Sequence, residues 1–84
     1  MFGLTSQLRR AGLSVILNII EGFARQSEKE YHRFLVISFG SLKETKYLLH
    51  FALEQKYLSQ ATFQETSNLA EETAKILWII IRKR

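Results

Sequence analysis

The chain contains no proline and only four glycines, and its apolar residues recur at three- and four-residue steps almost throughout. Proline is the strongest helix breaker, because its ring clashes with the preceding turn and it has no N–H to donate. With that breaker absent and no period-2 alternation of apolar and polar residues, the pattern predicts helices and no strands. The expected class is all-α.

Three helices follow from the periodicity and its punctuation. The first is expected over about 5–23, with Thr5 as N-cap. Leu8, Ala11 or Gly12, Val15, Ile19 and Phe23 form one stripe, and Leu13, Ile16, Leu17 and Ile20 a second beside it. Only Arg10, Ser14, Asn18, Glu21 and Arg25 make a polar line, so this helix is expected to be buried on more than one side. The second is expected over 28–56. Ser27-Glu28-Lys29-Glu30 reads as a capping box, in which the Ser27 hydroxyl accepts from the Glu30 amide and the Glu30 carboxylate returns to Ser27. Gly40 and Ser41 fall inside it, and a mid-helix glycine costs about 1 kcal/mol relative to alanine. That cost predicts a close helix crossing there. The third is expected over 60–82 behind Ser59 as N-cap, with Phe63, Ser67, Ala70, Ala74, Leu77 and Ile81 as its stripe. Short links make consecutive helices antiparallel, giving a single up-down bundle over 1–84.

Size sharpens the picture. Eighty-four residues hide only about 60–65% of the unfolded chain's surface, yet 46% of them are apolar. Self-association is the expected remedy. The chain has no cysteine, and its longest apolar run, Ile76-Leu77-Trp78-Ile79-Ile80-Ile81, is far short of the ~20 residues a membrane span needs. A cytoplasmic protein without disulfides is expected, with no membrane partner. The net charge of +4 permits contact with nucleic acid where the basic residues cluster.

Gly3-Leu4-Thr5-Ser6-Gln7-Leu8-Arg9-Arg10-Ala11 and Asn18-Ile19-Ile20-Glu21-Gly22-Phe23-Ala24-Arg25 resemble a bacterial family, the four-helix-bundle proteins encoded in intervening sequences of 23S ribosomal RNA genes. The accessory variability protein of diversity-generating retroelements is a relative. The resemblance continues through Ser27-x-x-Glu30-Tyr31-x-Arg33-Phe34-Leu35 and Gly40-Ser41-Leu42-x-Glu44 to Tyr57-Leu58-Ser59. It implies a four-helix bundle assembled as a homopentamer, acting as a non-catalytic accessory that binds nucleic acid. Members usually carry a further helix ahead of the Gly-Leu-Thr-Ser segment. Three helices are therefore expected here, with a groove left for partner subunits. Members also tend to read Ser-Ile-Pro-Ser-Asn-Ile-Ala-Glu-Gly where this chain has Ile16, Leu17 and Ile20, which predicts an unkinked, more apolar first helix.

Catalysis finds no support in the residues. His32 and His50 lie about 27 Å apart along one helix, too far to share a metal, and no nucleophile triad, phosphate loop or HExxH is present. Glu71 and Glu72 are expected to pair with Lys75 within their own helix. No enzyme activity, cofactor or metal is expected. Arg9, Arg10, Arg25, Lys29 and Arg33 are the candidate phosphate contacts, to RNA or DNA, with Arg25, Lys29 and Arg33 together at the first corner. Asn18, Glu21, Gly22, Ser27 and Glu30 are expected to be structural. The pair Asn18 and Glu21 should hydrogen-bond to a neighbouring helix, and Gly22 should form a left-handed cap or a close contact. The alternative is a module that docks onto itself or onto a protein such as a reverse transcriptase, without nucleic acid.

Overall fold

The computed structural model describes residues 2–83, and all its regular structure is helical: α1 (Phe2–Ala24), α2 (Glu28–Glu54) and α3 (Gln60–Arg82). The caps that the sequence marks at α2 and α3 form. Ser27 Oγ accepts from the Glu30 amide at 3.3 Å, and Ser59 Oγ from the Thr62 amide at 3.1 Å. Each satisfies one of the amide donors that a helix start leaves unpaired. The Glu30 carboxylate does not complete a capping box, because it turns to Arg25 instead.

Two boundaries differ from the expectation. Thr5 lies inside α1 (Phe2–Ala24) and is not its N-cap. At its other end α2 stops at Glu54, short of the expected Lys56. Lys56 takes a left-handed conformation (φ 65°), its N–H reaches the Leu53 carbonyl at 3.0 Å, and the Tyr57 N–H reaches the Ala52 carbonyl at 2.9 Å. That pair of bonds is a Schellman motif, normally completed by glycine.

The helices run up and down. On the α2–α3 side Phe39 packs on Trp78, Lys46 pairs with Glu71, and His50 meets Phe63 edge-on. On the α1–α2 side the Ser38 hydroxyl donates to the Val15 carbonyl at 2.8 Å, and the Ser14 and Ser41 hydroxyls are 2.9 Å apart. Both outer helices lean on α2, and their backbones do not come within 8 Å of each other. The Cα atoms span 43 × 23 × 13 Å, a layer of three helices side by side with α2 in the middle.

Two apolar clusters hold it. Val15, Leu35, Leu42, Ala70, Ala74 and Leu77 knit the three helices together in the upper half, where Ile19, Tyr31, Ile80 and Ile81 also pack. Leu4, Ala11, Leu48 and Ala52 close the lower half. The first stripe of α1 is thus core as far as Ile19. The second, Leu13, Ile16, Leu17 and Ile20, is about half exposed, so α1 is buried on one side only. The stripe's continuation at Phe23 is exposed as well.

The glycines also sort differently. A Cβ on Gly40 would meet nothing within 4 Å, so of Gly40 and Ser41 it is Ser41 that lies at the helix crossing, its hydroxyl 2.9 Å from that of Ser14. A Cβ on Gly22 would sit 3.3 Å from Phe34 Cβ and 3.4 Å from the Tyr31 carbonyl oxygen. α1 and α2 also approach closely at Gly22, which stays helical with negative φ and forms no left-handed cap. Among the described residues no helix is long and apolar enough to cross a membrane.

Candidate nucleic-acid interface

Arg25, Lys29 and Arg33 surround the α1–α2 corner, as their spacing predicts. Arg25 follows the last residue of α1, and Lys29 and Arg33 lie one turn apart on the first two turns of α2. The link between these helices is only residues 25–27, so the two helix ends are forced together. Arg25 and Arg33 share one anchor: their guanidinium carbons stand 4.9 Å and 5.5 Å from the Phe34 ring centre. Such cation–π contacts at exposed sites are each worth about 0.5–1 kcal/mol.

Carboxylates interleave with these cations. Arg25 lies 3.7 Å from Glu21 and 3.7 Å from Glu30. Exposed pairs of this kind contribute about 0.2–1 kcal/mol and are weakened by salt. With Glu28 added, the three cations of residues 21–33 face three carboxylates and cancel. The corner by itself has no net charge.

The third helix changes that balance. Continuing the α2–α3 register past Phe39–Trp78 brings Arg82 level with Leu35, and Lys83 follows it as the C-cap. The end of the layer therefore gathers Arg25, Lys29, Arg33, Arg82 and Lys83 against Glu21, Glu28 and Glu30, leaving two net positive charges. Arg82 and Lys83 were not among the phosphate contacts expected from the sequence. The missed signal was topological, since an odd number of antiparallel helices returns the last C-terminus to the first corner.

Arg9 and Arg10 do not join this end. They lie fifteen or so residues up α1 from Arg25, about 23 Å along the axis. Arg10 Nη2 rests 3.4 Å from Ser6 Oγ, and Arg10 shares a shallow concavity with Gln7, Ser14 and Glu44.

The polar pair on α1 separates. Asn18 Nδ2 donates to the Ser14 carbonyl at 2.8 Å and to Ser14 Oγ at 3.0 Å, and reaches α2 only through the Ser14–Ser41 contact. Glu21 pairs with Arg25 and makes no contact with α2 of the kind expected. Glu71 likewise leaves its expected within-helix partner, hydrogen-bonding to Lys46 on α2. Lys46 lowers its carboxyl below the ordinary glutamate value, with Lys43 and Lys75 adding smaller attractions.

A family model for 23S rRNA-intervening sequence proteins matches residues 1–78. The chain belongs to that family. The motifs at residues 3–11, 18–25 and 27–44, and the Tyr57-Leu58-Ser59 turn, all lie within the match. A crystal structure of a protein of unknown function from the S23 ribosomal protein family of Bacteroides thetaiotaomicron has the same fold. It superposes with a TM-score of 0.94 at 28% identity, over 96% of this chain and 75% of that one. No curated protein matches the chain. The fold of the helical layer described above is therefore shared with that protein over nearly all of this chain.

Proposed function

We propose that this protein is a non-catalytic accessory that self-associates and binds nucleic acid through phosphate contacts at the α1–α2 corner. The supporting observation is that three separate chain segments deliver Arg25, Lys29, Arg33, Arg82 and Lys83 to one end of the layer. An excess of two charges binds phosphate weakly in one subunit, but each added phosphate contact adds to the affinity, so copies held together act as one strong site. Salt dependence tests this. Binding to a structured RNA and to duplex DNA should be tight at low salt and fall linearly on a log–log plot against salt. Replacing Arg25 and Arg33 together by alanine should weaken binding to both and reduce the slope by about 1–2. No binding at low salt, or an unchanged slope in the double variant, refutes the reading.

A second reading, a protein assembly module without nucleic-acid binding, is favoured by the exposed stripe Leu13, Ile16, Leu17 and Ile20. Large exposed apolar patches mark interaction surfaces. A nucleic-acid titration of the wild type separates the two readings, and light scattering on Ile16→Lys with Ile20→Lys tests the stripe as the contact between copies. Under the second the mass falls to that of one subunit while the nucleic-acid titration is flat for the wild type as well.

A further inference from the structure

The α1–α2 corner carries aromatic groups that phosphate binding does not use. Phe23, in the last turn of α1, is 69% exposed although it is among the most apolar side chains available. One face of its ring is occupied: it stacks on Tyr31, with ring centres 5.6 Å apart and planes 23° from parallel. Tyr31 is itself half buried against the upper core, so the backing ring is fixed. Gly22 makes this possible, since any Cβ there would press on Tyr31 and Phe34. One turn further along α2, Phe34 is flanked by Arg25 and Arg33. The corner thus presents an open aromatic face with cations beside it.

An exposed, rigidly backed ring with neighbouring cations has the chemistry of a stacking platform. Nucleobases in a duplex have both faces covered by their neighbours, whereas an unpaired base offers a free π-face and stacks regardless of its identity. We infer that Phe23, backed by Tyr31, stacks on an unpaired base of a single-stranded nucleic acid while Arg25, Lys29 and Arg33 hold the adjoining phosphates. This rests on the nucleic-acid reading above and adds to it a preference for single strands over duplex. A second copy of the chain is the competing occupant of the same ring. The charge at this end of the layer favours the nucleic acid, because the two positive charges in excess once Arg82 and Lys83 are counted would be repeated, and repelled, in a like-to-like contact.

The experiment compares Phe23→Leu and Phe23→Trp with the wild type in binding a fluorescent ten-nucleotide oligouridine and a duplex of equal length at low salt. Leucine keeps an apolar side chain for any protein contact but has no π-face, and tryptophan enlarges that face. Phe23→Leu should bind oligouridine roughly 5- to 100-fold more weakly. Phe23→Trp should bind it at least as well as the wild type. Both should bind duplex as the wild type does, with oligomer mass by light scattering unchanged. Equal oligouridine affinity for wild type and Phe23→Leu overturns the platform, and so does an equal loss for oligouridine and duplex. A mass change in Phe23→Leu assigns the ring to a subunit contact and overturns it too. If Arg25→Ala with Arg33→Ala weakens both ligands while Phe23→Leu weakens neither, the platform alone fails. If neither ligand binds the wild type, the reading beneath it fails as well.

Discussion

The Ser38 hydroxyl on α2 donates to the Val15 carbonyl on α1 at 2.8 Å, and Ser38 has no exposed surface at all. A buried hydroxyl needs such a partner, because leaving it unpaired costs about 1–3 kcal/mol. It also holds α1 and α2 close, since nothing larger than a serine separates the helices there. Ser38→Ala removes the bond without opening a cavity and should cost about 1 kcal/mol in urea denaturation. Ser38→Leu must force the helices apart and should cost more, about 1–3 kcal/mol. A leucine variant as stable as the alanine variant would show that the seam has slack.

What the sequence revealed, and what it hid, divides by range. Ser27 and Ser59 were legible as caps because a cap is decided within four residues, and both make the expected bond. The antiparallel corner was legible because a three-residue link leaves no other arrangement. Interhelical choices were not. Glu71 had Lys75 one turn away, and only the α2–α3 register reveals that Lys46 lies nearer. Gly40 and Gly22 are alike as letters, and which one faces a helix depends on the rotation of each helix about its axis. The fate of the two α1 stripes turned on the same angle.

The two glycines should answer oppositely to alanine. At Gly40 a methyl group meets open space, so the gain in helix propensity is uncontested and stability should rise by about 0.5–1 kcal/mol. At Gly22 the nearest atoms are Phe34 Cβ and the Tyr31 carbonyl oxygen, which are anchored to the backbone of α2 and cannot swing aside. Gly22→Ala should therefore lower stability, cancelling the propensity gain by widening the corner. Thermal unfolding of both variants checks the contrast, and a Gly22→Ala as stable as Gly40→Ala would disprove the tight contact.

Lys56 stands where the Schellman motif at the end of α2 calls for glycine. A left-handed residue with a side chain costs about 1–2 kcal/mol, and glycine recovers part of this after its larger unfolded-state entropy is counted. Lys56→Gly should stabilise by roughly 0.5–1 kcal/mol. The shift should appear in urea midpoints without a change of slope, since the surface exposed on unfolding is the same. An unchanged or lower midpoint would mean that the Lys56 stem contributes packing not visible in its backbone.

The Lys46–Glu71 pair should make α2–α3 docking weaken in acid. The Glu71 carboxyl is held below its ordinary value of 4.5, first by the hydrogen bond from Lys46 and then by its charge, with Lys43 and Lys75 smaller and partial burial opposing. A carboxyl whose folded value is depressed stabilises fully above the unfolded value, and the contribution fades as pH falls through the folded one. Glu71→Gln should therefore be less stable than the wild type near pH 7, with the gap closing in acid as the pH falls below 4.5 and through the depressed folded value. Raising salt from about 0.1 to 1 M near pH 7 should narrow the gap as well, because the carboxylate is open to water. Lys46→Met should flatten the wild-type acid slope in the same window. Urea midpoints for the three proteins at neutral and acid pH decide it, and a gap that persists unchanged in acid would rule out Glu71 as the titrating partner.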